Sequence, residues 1–267
     1  MHCQWAEDVL YFRLAWGQIM NNASIGQFAP FQPRDRTFFL LMLTTIWAGI
    51  FAGFVPDVFE HFQGKHVSYA LVVHLHAAAY VGWLVLLTTQ MTLIRVGRAD
   101  LHRKLGIVGL GLVLAMAVLG PWTAFVMQDR QFGTPDSDPP FLILQLLIVV
   151  NFTLTALAGL AFRRNAATHK RLMLIATILI SGAGFARWIA GPIAKVLGSG
   201  FVSFYLQMYA CSDLLLIAMG VYDIMTRRRL HPAYIMAVGF GVSNQIAVAW
   251  IYNLPAWKPI ATQLIGH

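Results

Sequence analysis

Four histidines are the residues in this chain best suited to chemistry. His74 and His76 stand two apart inside an apolar run, and His102 and His169 each sit where a later run begins. An imidazole nitrogen binds haem iron or a metal ion and exchanges a proton near neutral pH. Two positions on a helix are ~200° apart, so a straight helix cannot aim His74 and His76 at one metal. His76 shares a stripe with Tyr80, Trp83 and Gln90, while His74 points toward the Ala78 and Val81 side. A haem held between two histidines needs a second one at their depth on another run, and none is there; only His61 and His66, in the adjoining loop, could fold back. His102 and His169 are better matched, because both open long runs at one depth. The competing reading makes them interfacial residues among Arg and Lys that meet anionic lipid headgroups.

A second polar set lies inside the later runs: Arg187, Tyr209, Asp213, Asn244 and Gln245, with Gln145 and Asn151 upstream. Counting ~1.5 Å of rise per residue places most of them in one half of the bilayer, on the side away from His102 and His169. Polar groups facing lipid are costly, so these should face one another or a watery cavity. With His76 and Tyr80 they make a candidate site for a small polar or anionic solute. Arg187 would attract the anion and Asp213 would hold Arg187 in place. The two charges lie within ~3 Å of one depth by helix rise and are expected to pair. A purely structural pair that fixes helix register is the alternative.

The elements that carry these residues are seven apolar runs: 37–55, 69–94, 105–127, 140–162, 171–195, 201–225 and 233–254. Each is near or above the ~20 residues that cross a hydrocarbon core. Only 11% of the chain is charged, against about 25% in a soluble domain. Arg34 and Arg36, then Arg95, Arg98, Arg103 and Lys104, then Arg163, Arg164, Lys170 and Arg171, then Arg227, Arg228 and Arg229 all fall on one side. The other side carries Asp57, Glu60, Asp129, Asp136 and Asp138, with Lys65 and Arg130. The positive-inside rule then sets the N-terminus inside and the C-terminus outside. The net charge of +8 is accounted for by this topology and implies the lipid bilayer, not nucleic acid, as partner. Cys3 and Cys211 form no disulfide framework, since Cys211 lies within a run. No phosphate loop, nucleophile elbow or Cys/His zinc spacing is present.

Residues 1–33 differ: Glu7, Asp8 and Arg13 punctuate them, and Asn21, Asn22, Pro30 and Pro33 break them. They read as a disordered or surface-lying tail, or as the product of an upstream start with Met20 the natural one. Residues 34–267 form a single transmembrane domain. The turns before the third and fifth runs echo one another, each giving a small polar residue, His, two basic residues and Leu. That echo predicts a pseudo-symmetric four-helix core with three further helices around it, and N-caps at Asp100 and Thr168. The glycines of the third run (Gly106, Gly109, Gly111, Gly120) read as close-packing positions, and the tryptophans mostly as interfacial anchors, Trp122 and Trp250 above all. Gly191-Pro192 reads as a helix stop or a break.

His74-Leu75-His76, Gln90, Arg98, the turn Leu101-His102-Arg103-Lys104-Leu105-Gly106 and His169-Lys170-Arg171-Leu172-Met173 resemble the signatures of an uncharacterised family of bacterial multi-pass membrane proteins. The likeness covers about residues 34–190. A looser similarity is to transmembrane b-type cytochromes of the ascorbate and ferric reductase kind, which open membrane helices with a Leu-His step and hold haem between facing histidines. These resemblances imply a multi-pass protein of the bacterial inner membrane. The expected function is haem- or metal-linked redox or cofactor handling through His74, His76, His102 and His169, with haem b or a metal ion bound and a redox partner. A solute transporter or receptor, and a non-enzymatic assembly factor, are the alternatives.

Overall fold

The computed structural model describes residues 28–64 and 69–267. Most of the expected tail, Met20 included, and the loop around His66 lie outside the described residues. Among the described residues seven helices are long and apolar enough to cross a membrane, and the protein is an all-α polytopic bundle. They are α1 (Asp35–Phe62), α2 (Leu71–Arg95), α3 (Ala99–Gln131), α4 (Leu142–Ala161), α5 (Ala166–Leu197), α6 (Phe201–Arg227) and α7 (Pro232–Tyr252). A single 3₁₀ turn, Pro139–Phe141, leads into α4, and a short helix α8 (Trp257–Leu264) follows α7. The sequence did not announce α8. It is tied to the 3₁₀ turn by Trp257 Nε1, which donates to the Pro140 carbonyl at 2.9 Å.

Helices α3 and α5 begin before their apolar runs do. Arg98, not Asp100, occupies the N-cap of α3 and makes no side-chain cap bond; Asp100 is in the first turn, paired with Arg98 at 3.1 Å. The cap of α5 is Asn165, whose side chain accepts from the Thr168 amide at 3.1 Å. His102 and His169 lie in the first helical turns, at the starts of long helices as the sequence implies. Gly191-Pro192 does not stop α5, which runs on to Leu197.

Helix α5 is the axis of the bundle. It packs against α1, α4, α6 and α7, and Ile175, Ala176, Thr177 and Ile178 have no exposed surface at all. Trp83 of α2 reaches it across the core, donating from Nε1 to Thr177 Oγ1 at 3.1 Å and meeting Phe152 of α4 edge-on. Trp83 is thus a core residue, whereas Trp122 and Trp250 do face outward. Helices α1 and α5 approach closely through glycines. A Cβ on Gly53 would run into the Gly184 carbonyl, and one on Gly184 into Ile50 and the Gly49 carbonyl. On α3 a Cβ on Gly120 would run into Val149 and one on Gly109 would only touch Leu86, while Gly106 and Gly111 face open space.

At the basic face the helix ends are locked by charge. Asp223 of α6 accepts both Nε and Nη2 of Arg171 of α5, at 2.7 and 2.5 Å, and each side chain is 1% exposed. Asp35 at the start of α1 accepts from Lys170 at 2.6 Å, from Tyr222 at 2.6 Å and from Arg227 at 2.7 Å. Arg227 also donates to the Ala29 carbonyl at 3.0 Å. Phe28 lies beneath the guanidinium groups of Arg171, Arg227 and Arg229, at 4.5, 5.1 and 5.6 Å. The segment entering α1 is therefore clamped onto α5 and α6. Lys170, Arg171 and Arg227 belong to this lock, although the sequence reads them as topology signals.

His231, just ahead of α7, closes the lock. Its Nδ1 accepts from the Ala233 amide at 3.1 Å. Burial, and then the nearby Arg171, push it from the ordinary 6.5 down to about 4; Asp223 opposes this shift, while Arg227 and Lys170 add to it. The folded value lies below the unfolded one. The stability contributed by neutral His231 is therefore complete above pH ~6.5 and is lost as pH falls from there toward 4. Asn caps helices without titrating, so His231→Asn should flatten this part of the slope, read as melting temperature between pH 7.5 and pH 4.5. An unchanged slope would assign the acid sensitivity elsewhere.

Candidate functional site

Two polar centres stand apart in the bundle. The first joins α3 and α5 near the basic face, where the His102 and His169 rings lie 6.1 Å apart with planes 84° to each other. The repeated turn thus brings its two histidines together. His169 Nδ1 lies 2.7 Å from the Gly159 carbonyl. A carbonyl only accepts, so Nδ1 carries the proton and Nε2 keeps its lone pair. Gln90 of α2 donates from Nε2 to the His102 carbonyl at 3.1 Å. Its Oε1 and His102 Nδ1 are both buried with no hydrogen-bond partner. Such orphaned polar atoms are expensive unless something pairs with them.

His74 and His76 do not join that centre or each other. His74 is exposed. His76 stacks on Tyr80 at 4.2 Å, and its Nδ1 is buried without a partner. His61 stacks on Tyr69 at 4.0 Å. Among the described residues no three His, Cys, Asp or Glu side chains gather to hold a metal ion.

The second centre lies between α4, α6 and α7, in the half of the bundle away from the lock. It gathers Asn151, Tyr209, Asp213, Asn244 and Gln245 from the polar set read in the sequence, and adds Tyr205. Asp213 accepts from Tyr205 Oη at 2.9 Å and from Gln245 Nε2 at 3.0 Å. Tyr205 Oη also lies 3.1 Å from Gln245 Oε1. Asn151, Tyr209, Asn244 and Gln245, with Ile148 and Leu179, line a cavity of about 10 Å³. Asn151 is 3% exposed, and its Oδ1 has no partner.

Arg187 is not part of this centre, and the expected Arg187–Asp213 pair does not form. Arg187 instead binds Asp57 of α1 at 2.6 Å and stacks over Phe54 at 3.9 Å. The reason is register. Gly182 of α5 faces Met208 and Ser212 of α6, so positions beyond Gly182 fall level with α6 residues that precede Asp213. The pair that joins α5 to α6 is Arg171–Asp223. Sequence reasoning missed it because acidic and basic residues at the ends of runs look like ordinary interfacial charges.

No family model matches the chain, and comparison with curated proteins and with solved structures finds no match. The two centres are therefore read from their own chemistry.

Arg187 and Asp57 are about two-fifths exposed, where an ion pair contributes ~0–1 kcal/mol. Arg187→Met should accordingly change the unfolding free energy in detergent by no more than ~1 kcal/mol, and should add to Asp213→Asn without coupling. A coupling beyond that range would place Arg187 with Asp213 after all.

Proposed function

We propose that this is a multi-pass protein of the bacterial inner membrane that handles a redox cofactor or metal ion held between His102 and His169. The observation that carries this reading is their apposition at 6.1 Å. A metal ~2 Å from one nitrogen of each of two opposed imidazoles puts their ring centres ~6 Å apart. The Gly159 contact supports it, because ligating histidines usually hand their other N–H to a carbonyl or carboxylate, which fixes the tautomer and the ring. Two imidazoles with no third side chain suit haem iron, whose remaining ligands are the porphyrin's own, and do not suit a closed tetrahedral zinc site. Haem b, when bound, would supply one-electron transfer. The chain's own part is to hold His169 through Gly159 and His102 through Gln90, with Arg103 and Lys104 close in sequence to take anionic groups.

The orientation belongs to the same reading. Arg and Lys crowd the face that carries α1's start, and the positive-inside rule turns that face to the cytoplasm. His102 and His169 then serve a cytoplasmic electron donor or acceptor. The transporter or receptor reading draws on a different observation, the gathering of Tyr209, Asn244 and Gln245 around a cavity, with Asp213 bonded to Gln245.

Protein purified from haem-replete cells should show a Soret band, or one bound metal per chain by elemental analysis. Either signal should vanish in His102→Ala and in His169→Ala and survive in His74→Ala. A colourless, metal-free preparation would overturn the proposal.

A further inference from the structure

Asp213 presents a charge problem that its surroundings do not solve. It is half-buried in a membrane-spanning helix. Its two hydrogen-bond donors, Tyr205 and Gln245, are both neutral. Among the described residues no basic side chain stands beside it, since Arg187 is committed to Asp57 at 2.6 Å. An ionised carboxylate at such a depth is expensive until a positive charge meets it. One side chain away, the amide of Gln245 connects it to a cavity of about 10 Å³. That volume is room for a single water-sized occupant.

The cavity wall sets buried polar side chains among the apolar Ile148 and Leu179. Asn151 is 3% exposed, its Oδ1 has no partner, and its side chain lines the space. Gln245 is 2% exposed. Its Nε2 is turned to Asp213 and its Oε1 lies 3.1 Å from Tyr205 Oη, which leaves that oxygen a second lone pair for the rest of the site. Tyr209 and Asn244, both with oxygen-bearing side chains, also line the space. Amide, phenol and carboxylate oxygens are hard ligands that select hard cations over transition metals.

We infer that this cluster binds one dehydrated monovalent cation of sodium size, held by oxygens of Asn151, Tyr209, Asn244 and Gln245, with Asp213 supplying the compensating charge. A water molecule would satisfy Asn151 but leave the carboxylate's charge standing. A calcium ion normally draws on a larger set of six to eight oxygens with several carboxylates, and here there is one. An organic cation is too large for the space, and an anion would meet a carboxylate with no arginine behind it. The inference is independent of the histidine pair.

The test is thermal melting of the detergent-solubilised protein at one pH and ionic strength in NaCl, KCl or choline chloride. Sodium should raise the melting temperature saturably, by roughly 5 °C over choline when the site is full. Asp213→Asn and Asn151→Leu should each remove that rise, and Asp213→Asn, which no longer carries an uncompensated charge, should melt no lower than the parent in choline. Equal melting in all three salts would overturn the inference. So would a melting temperature that rises on acidification and ignores sodium, because the carboxylate is then neutralised by a proton and the cavity holds water. Should either variant fail to fold, ²²Na⁺ equilibrium dialysis on the parent decides. Saturable binding of one ion per chain supports the site, and its absence contradicts it.

Discussion

Much of this structure depends on the burial of Arg171. Its guanidinium is 1% exposed, and a buried charge is tolerated only when it is paired and its hydrogen bonds are met. Here all three nitrogens are used: two on Asp223 and the third on the Ala167 carbonyl, at 2.8 Å. The fork is rigid and bidentate, so it fixes how α5 lies along α6 and not merely that they touch. From that anchor the register runs on to Gly182, which lies against Met208 and Ser212. Arg187 is then carried toward α1, and Asp213 is left facing Tyr205 and Gln245 alone. Arg227 extends the same lock to Asp35, which brings in α1, and to the chain that precedes it.

Between the two polar centres lies a dry middle. Trp83, Phe152, Met116, Ile175 and Ile178 fill it with little or no exposed surface, and Trp83's one polar atom is spent on Thr177. Charges on either side of such a layer influence one another weakly when each has local partners. The histidine pair and the Asp213 cluster can thus be built, occupied and altered separately. The His102–His169 centre shares its turn with the lock, since His169 immediately precedes Lys170 and Arg171. The Asp213 centre is set by the packing of α4, α6 and α7, which the lock positions from a distance.

The parts of this arrangement that could be read in the sequence are those for which lipid or repetition leaves a mark. Hydrocarbon demands long apolar runs, and all seven are there. The echoed turn sets His102 and His169 at one depth, and the structure brings their rings together, edge to face. Depth counting also grouped Tyr209, Asp213, Asn244 and Gln245. What it cannot supply is how far one helix is slid along the next. Rise counted from the ends of the apolar runs sets Arg187 and Asp213 at one height, whereas α5 lies on α6 with Gly182 against Met208 and Ser212, which leaves Arg187 level with residues before Asp213. Helix starts were misread for a related reason: the first turns of α3 and α5 are polar and lie outside the apolar runs that reveal the rest. Asp35 and Asp223 gave no signal, because a carboxylate near a membrane surface is unremarkable until its partners are known.

A double-mutant cycle at Arg171 and Asp223 tests this account most directly. Unfolding free energy would be followed in detergent for Arg171→Met, Asp223→Leu and the pair together. Removing one partner of a buried pair typically costs ~3–5 kcal/mol, and replacing both with apolar residues is often neutral. The account predicts two strongly destabilised single variants and a double variant close to the parent, a coupling of at least ~2 kcal/mol. Two mild, additive single effects would show that the pair does not hold α5 to α6, and the register argument would fall with it.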